Sequence, residues 1–600
     1  MNVKVGAWPS FDTTTFRVWA PKAQIVEVVG MNPGVKKVFP LIAGEHGYFE
    51  GSLNGFKDGD LYKFRIDGKT DLPDPASRYQ PEGPHGPSQI VAEEFPWTDQ
   101  LWKGIPLEDL IVYELHVGTF SPEGTFSGIQ KRIPHFKKLG INAIEIMPIG
   151  QFAGKRNWGY DGVAIFATHS SYGTVKDLKE LVNECHKNGI AVLLDVVYNH
   201  MGPEGNYLSQ WGTYFQDKYK TPWGEALNYD GFGGDEVRNY FLQNARQWLE
   251  EFHFDGLRLD ATHAIFDTSA VPFLEQLSDL ARDLERKLHR TIYLIAENEN
   301  NDPRILQDSQ HGGWGLTGQW ADDLHHVIHT TLTKETQGYY EDFGTIQQFA
   351  DCFRKGILYE NLYSLFRQRH QGRSYENIDR RRLVVCSQNH DQIGNRKLGD
   401  RLISLTDDRR QRLAAATVFL SGCMPLIFMG EEWGAKTPFQ YFVDHTDKNI
   451  LKATQEGRKN EFAAFGWNED VPDPGSEKTF LNSKLDWEEE VSSTGQSFEV
   501  YYRRLIDLSK KLRRHQLMDR RHIQTRVNLQ MQTIEVLVNH NSSKFELFFN
   551  LSEVPVTYDF QDSSLEGLLD SSNPEGHINM MPSLVAHPYS VLVAGHFARG

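Results

Sequence analysis

A (β/α)8 barrel flanked by two β-sandwiches is the multidomain architecture this sequence predicts, and three observations predict it. Six hundred residues exceed what one hydrophobic core supports, so two to four domains are expected. From about residue 105, eight short, near-continuous apolar segments alternate with amphipathic helical stretches. That is the grammar of parallel strands covered by crossover helices. At both ends the pattern changes to short alternating strands between Gly and Asp turns, as in sandwiches.

In chain order, residues 1–92 predict an immunoglobulin-like β-sandwich of the glucan-binding-module type, with strands at 16–21, 25–29, 47–51 and 61–66. It reads as a structural lid or as a glucan-binding unit, the lid being slightly preferred. Residues 72–87, rich in Pro and Gly, form a linker that packs on the next domain. The barrel domain is placed at 93–512. Its strands are expected at 111–115, 143–147, 190–194, 257–260, 292–296, weakly at 319–320, and at 383–386 and 426–429. Helical periodicity runs over 129–139, 175–186 and 237–252, and Thr174, three before Asp177, offers a cap to the second. The span exceeds a minimal barrel, so insertions are expected at 201–235 and 327–380. Alternation returns at 534–538, 545–549 and 590–593, giving a C-terminal β-sandwich at 513–600.

Charge and cysteine usage exclude several function classes. A net charge of −17 argues against nucleic acid and anionic membrane, which want a basic face, and fits a neutral substrate. Cys185, Cys352, Cys386 and Cys423 are far apart and form no CxxC, so neither a zinc site nor a disulfide framework is expected; no metal or cofactor is called for. The segment 1–8 has no apolar signal-like region and no apolar run could span a bilayer, so a soluble, cytoplasmic protein is expected. Oligomeric state is not legible.

The chemistry centres on Phe254-Asp255-Gly256-Leu257-Arg258-Leu259-Asp260. Leu257 and Leu259 face one way, Arg258 and Asp260 the other. An adjacent guanidinium favours an ionised carboxylate, as a nucleophile requires. Alone, the stretch fits a buried structural ion pair equally well. Barrel active sites lie at the C-terminal strand ends, however. There the third strand delivers Asp195 through Asn199-His200, the fifth Ala296-Glu297-Asn298, and the seventh Gln388-Asn389-His390-Asp391. Helix-capping acids would not easily explain Glu297 directly after an apolar strand, or His390 beside Asp391.

Asp195…Asn199-His200, Gly256-x-Arg258-x-Asp260, Glu297 and Asn389-His390-Asp391 resemble, in order, the four signature regions of the α-amylase superfamily of glycoside hydrolases. The resemblance covers the whole chain and implies Asp260 as nucleophile, Glu297 as general acid/base and Asp391 as the third acid of a retaining site. It implies Tyr160, Asp161, Asp195, Asn199, His200, Arg258, His263, Asp322, His325, His390, Gln392 and Arg396 as substrate-binding. Tyr160, in Trp158-Gly159-Tyr160-Asp161-Gly162, would stack on the sugar at the cleavage point, a buried loop aromatic being the less favoured alternative. Finer blocks are similar to the maltooligosyltrehalose trehalohydrolases within that superfamily: 260–265, 296–302, 319–326, 339–343, 389–396 and 438–445. That family cleaves the α-1,4 bond next to the terminal trehalose of maltooligosyl trehalose. One departure falls at 457–462, where a more basic run than Lys459-Asn460 is expected.

Two rivals remain. A glycogen branching enzyme shares the three acids but passes the cut chain to another glucan; Gln392 and the His325-His326 pair speak against it. An inert glucan-binding scaffold would not be expected to keep Asp260, Glu297 and Asp391 together. Polar and aromatic residues of the second insertion, with Asp322, His325 and His326 at its base and Tyr339, Tyr340 and Phe343 within it, are expected to shape a trehalose pocket. The alternative is that those aromatics pack the insertion's own small core.

Overall fold

The computed structural model describes residues 4–32, 37–464, 471–579, 581 and 583–598, with side chains described up to 460 in the helix ending at 464. Met1 to Val3 of the N-terminal segment, and the side chains of Glu461 and Phe462 in the departure noted above, lie outside the described residues.

Eight parallel strands close into a barrel: β1 (Val112–Leu115), β2 (Ala143–Ile146), β3 (Ala191–Val196), β4 (Gly256–Leu259), β5 (Tyr293–Ala296), β6 (Gly318–Trp320), β7 (Leu383–Val385) and β8 (Met424–Phe428). β8 pairs with β1, so no edge is left. Each strand falls within a few residues of its predicted position. The weak sixth is the shortest class, three residues of Gly-Gln-Trp with no aliphatic member.

The helices follow the periodicity with two differences. The stretch 237–252 is α-helical only to Arg246 and continues as a π-helical turn over Gln247–Glu251. The pattern over 129–139 is two helices, Phe126–Gln130 and Ile133–Leu139. Pro134, with no N–H to donate, suits the first turn of a helix and interrupts any longer one, so the chain restarts there. The cap on Val175–Lys187 is reciprocal: Asp177 N donates to Thr174 Oγ1 (3.2 Å) and Thr174 N to Asp177 Oδ2 (2.7 Å).

At the N-terminal end, a four-stranded sheet containing Thr13–Trp19 and Tyr48–Asn54 faces a five-stranded sheet containing Val26–Gly30 and Leu61–Ile66. This sandwich docks on the chain after β3, where Trp19 meets Tyr214 edge-on (5.1 Å) and Phe64 meets Trp211 (5.8 Å). The linker is pinned by a buried trio in which Arg78 and Lys179 both bind Glu251. The C-terminal sandwich sets a five-stranded sheet against Val556–Asp559 paired with Ser583–Ala586.

The chain after β3 carries a hairpin, Phe215–Thr221 with Gly224–Leu227. After β6 come helices Asp323–Thr333 and Ile346–Lys355 and a hairpin, Glu360–Ser364 with Arg369–Gly372. A third elaboration, absent from the sequence reading, follows β8 and contains helix Lys448–Ala464.

Barrel closure carries a pH-sensitive contact. His135, in the helix leading to β2, binds Glu432 after β8 (2.7 Å) and Glu490 (3.1 Å), and Tyr113 Oη donates to Glu432 (2.9 Å). Burial opposes the imidazolium, but the two carboxylates outweigh it and raise His135 from 6.5 to about 9. A raised basic group stabilises the fold fully below its unfolded value and loses that contribution as pH rises through the folded one. Thermal stability is therefore expected to fall between about pH 7 and 9.5 by on the order of 2–3 kcal/mol more in the wild type than in His135→Gln. Parallel melting curves against pH for the two would contradict this.

Candidate active site

Barrel register places the site's charges at one height. Asp195 of β3 lies opposite Arg258 of β4, which lies opposite Ile295 of β5, two residues before Glu297. Arg258 is fully buried and is the hub. Its Nη1 donates to Asp195 Oδ1 (2.9 Å) and Oδ2 (2.8 Å) and to Asp260 Oδ1 (2.9 Å), and its Nη2 to Glu297 Oε2 (2.7 Å). The guanidinium lies 4.3 Å from the centre of the Trp320 ring, which covers its face. One cation thus serves three carboxyl groups, an arrangement tolerable in a barrel interior only because each partner is hydrogen-bonded.

Two of these carboxyl groups are driven apart in acidity. Burial alone would raise Asp260, but Arg258, His200 and the amide of Asn199, which donates to Asp260 Oδ2 (2.6 Å), hold it below the usual carboxylate range. Glu297 goes the other way. Burial pushes it well above that range and Asp260 and Asp391 push further, while Arg258 and the N–H of Ala261 (2.9 Å) offset only part. Ala261 is in the left-handed region (φ 38°), a costly conformation for a non-glycine residue. That turn aims its N–H at Glu297. A pair of carboxyl groups set apart in this way is the signature of one ionised and one protonated partner.

Asp391 opens the short helix His390–Gly394 and is 35% exposed at the side chain, against 12% for Asp260 and 16% for Glu297; it therefore sits at the rim and they sit in the floor. His390 is wedged behind it. Glu114 Oε2 accepts from the His390 N–H (3.0 Å) and Oε1 binds Nδ1 (2.5 Å), while Nε2 meets Tyr160 Oη (2.7 Å). Burial opposes the charge on His390, but Asp391 and Glu114 raise it to about 10. Tyr160 stacks on His390 (5.2 Å, 21°) and donates to Asp195 Oδ2 (2.7 Å), so its ring is fixed and partly exposed.

The other residues named from sequence divide into groups. His200 binds the Tyr160 carbonyl (3.0 Å) and is stacked by Trp223 (4.7 Å, 11°). Asp161 accepts from Asn157 (2.6 Å), with His445 at 3.7 Å. His263 lies 3.6 Å from Glu299. Burial, and then Asp391, raise Asp322 to about 7. Gln392 supplies its N–H to the Asn389 cap (2.9 Å). Two others are turned inward. His325 is buried with its ring nitrogens on the Ser387 carbonyl (2.6 Å) and Tyr340 Oη (3.0 Å). Arg396 makes a two-point contact with Glu335 (2.7 and 3.0 Å). Tyr340 and Phe343 are buried too, stacked on His329 (4.4 Å) and His326 (4.8 Å), so they form the insertion's own core.

Sequence reading missed Glu114, Trp223 and Glu145. Glu114 and Glu145 are in register on β1 and β2, and acids at such positions in apolar strands were a usable signal. Both carboxylate oxygens of Glu145 are buried without a hydrogen-bond partner, and burial pushes it well above the usual range. Trp223, 49% exposed on the first hairpin, gave no signal beyond composition. Among the described residues no group of three or more His, Cys, Asp and Glu is arranged to hold a metal ion, and no helix is long and apolar enough to cross a membrane.

Residues 57–224 match the family model of the alpha amylase catalytic domain, and residues 4–81 that of carbohydrate-binding module 48, the isoamylase N-terminal domain. The chain is 45% identical over 500 residues to malto-oligosyltrehalose trehalohydrolase of Saccharolobus solfataricus, covering 83% of this chain and 86% of the relative. The chain belongs to the malto-oligosyltrehalose trehalohydrolase family. Its likeness to a 1,4-alpha-glucan branching enzyme of Geobacillus stearothermophilus is less extensive, 32% identity over 51% of this chain and 53% of that one. A solved structure from Salmonella typhimurium, named for alpha amylase, superposes with TM-score 0.89 at 34% identity over 98% of this chain and 99% of that one.

Proposed function

We infer that this chain hydrolyses the α-1,4 bond next to the terminal trehalose of maltooligosyl trehalose, releasing trehalose by a retaining mechanism. The observation that carries the mechanism is Arg258 bridging a carboxyl held ionised, Asp260, and one held protonated, Glu297. A retaining site needs one carboxylate to attack and one acid to protonate the leaving oxygen, and these two groups suit those roles. Asp260 attacks the anomeric carbon while Glu297 protonates the departing glycosidic oxygen, so trehalose leaves with a complete hydroxyl. Glu297, now ionised, takes a proton from water, which attacks the same carbon and frees Asp260. Asp391 holds sugar hydroxyls, His200 and His390 brace the site with their ring nitrogens on Asn199, Glu114 and Tyr160, and Tyr160 offers its ring face to the sugar at the cleavage point.

Product analysis from maltotriosyl trehalose tests the reading. Trehalose and maltotriose in equal amounts are expected; lengthened or branched glucans without free trehalose would indicate transfer instead.

The trehalose side requires a closed pocket with fixed polar groups. The hairpin after β6 fits this better than the buried aromatics Tyr340 and Phe343. Arg367 at its tip pairs with Glu299 (3.1 Å), two residues after Glu297, and Glu299 faces His263. Leu365 and Phe366 beside it are exposed. Shortening this tip is expected to lower kcat/KM for maltooligosyl trehalose at least about tenfold more than for plain maltooligosaccharides, because fixed polar groups discriminate by what a wrong ligand leaves unpaired. Equal losses on both substrates would make the hairpin a stability element.

A further inference from the structure

The helix inserted after β8, Lys448–Ala464, has no part in the chemistry above, yet one of its side chains reaches the third acid through a single intermediary. Arg458 Nη1 donates to Asn395 Oδ1 (3.2 Å), and its Nη2 donates to the Gly394 carbonyl. Asn395 ends the helix that Asp391 opens, and its Nδ2 donates to Asp391 Oδ1 (3.4 Å). His390 also lies near that carboxylate, its Nε2 3.4 Å from Oδ2 and shared with Tyr160.

The chemistry of the three groups fixes a direction. A guanidinium has only donors, so it can donate only to the oxygen end of the Asn395 amide. With Oδ1 held by Arg458, the NH2 end must face Asp391, where it can donate to a carboxylate. Were the amide to flip, its oxygen would face Asp391 and repel it. The anchor is rigid because Gly394 is pressed against Trp158: a Cβ at 394 would lie 2.0 Å from the Trp158 ring. Arg458 itself is flanked by the Tyr441 ring, 5.0 Å from its centre, and Tyr441 packs edge-on to Trp158 (5.2 Å).

We propose that Arg458 is a positioning residue for the reaction, holding the Asn395 amide in the one orientation that orders Asp391. The inference rests on Asp391 being the third acid, and it ties the helix after β8 to the catalytic rim.

The test is steady-state kinetics on maltooligosyl trehalose with Arg458→Met, Arg458→Lys, Asn395→Ala, the double variant Arg458→Met/Asn395→Ala, and Asp391→Asn, each with a melting curve. Arg458→Met is expected to lower kcat about tenfold with KM changed less than about twofold, the worth of one hydrogen bond to a charged group. Arg458→Lys, which keeps a donating cation on a shorter reach, should recover part of the loss. Asn395→Ala should match Arg458→Met, and the double variant should be no worse than Asn395→Ala alone, because both act through one contact. An unchanged kcat in Arg458→Met, a melting temperature lowered without loss of kcat, or losses that multiply in the double variant would each overturn the proposal. If Asp391→Asn keeps full activity, the assignment of the third acid fails. If Asp391→Asn is inactive while Arg458→Met is not impaired, only the positioning role fails.

Discussion

Glu297→Gln is expected to lower hydrolysis at least about a hundredfold while leaving substrate binding largely intact. Glutamine keeps the shape and can still receive the Arg258 and Ala261 contacts through its oxygen, but it has no proton to give the leaving oxygen. The same environment predicts the pH profile. Glu297 is raised by burial and by Asp260 and Asp391, so the alkaline limb reports loss of its proton. Asp260 is held low by Arg258, His200 and Asn199 against burial, so the acidic limb reports its protonation. Activity should peak between the two and fall on both sides, and Glu297→Gln should lose the alkaline limb. Asp260→Asn should be at least as damaging, with no covalent glycosyl-enzyme trapped. Near wild-type turnover of Glu297→Gln would remove it from the acid role, and an adduct trapped on another residue would move the nucleophile.

The parts of this site legible in sequence share a property: they lie near or just beyond the C-terminal ends of strands. Asp195 and Arg258 are next to last in β3 and β4, Asp260 and Glu297 directly follow β4 and β5, and Asp391 comes six residues after β7. Barrel geometry brings such positions to one rim. Glu114 was not read because its strand has no second charged residue beside it, and its partner His390 is 276 residues away. Arg458 lies on a helix that no strand announces. The His325-His326 pair misled differently. Polar residues at the foot of an insertion look like pocket walls, but His325 satisfies the Ser387 carbonyl inside the fold and Tyr340 covers it. The insertion had to build a core of its own, and histidines with aromatic partners built it. Its exposed chemistry lies further along, in a hairpin whose short strands carry too little periodicity to be seen.

The clustering that makes these acids stand out in sequence also makes them costly to hold. Asp195, Asp260 and Glu297 converge on one buried cation, and burial raises Asp195 to about 6 even against the pull of Arg258. The barrel floor is therefore a place where negative charge is held out of water only by a shared partner. Glu145, in register with Glu114 and pushed well up by burial, shows the same pressure with no hydrogen-bond partner to relieve it.

Arg258→Met tests that dependence directly, and its expected effects are large on two scales. Removing one partner of a buried charged cluster costs about 3–5 kcal/mol of stability, because the remaining carboxylates are left uncompensated. The melting temperature should fall accordingly, and less at low pH, where protonating Asp195 and Asp260 relieves the loss. Activity should fall at least about a thousandfold near neutral pH, since Asp260 loses the cation that keeps it nucleophilic and Glu297 loses a positioning contact. The acidic limb of whatever activity remains should move upward, as Asp260 shifts toward the value burial dictates. Arg258→Lys should not restore activity. An ammonium is a point charge on a shorter reach, whereas the Arg258 fork serves Asp195 and Asp260 with one nitrogen and Glu297 with the other. If Arg258→Lys turned over at near wild-type rate with an unmoved acidic limb, positive charge alone would suffice, and the bridging of nucleophile and acid by one planar group would have no role in catalysis.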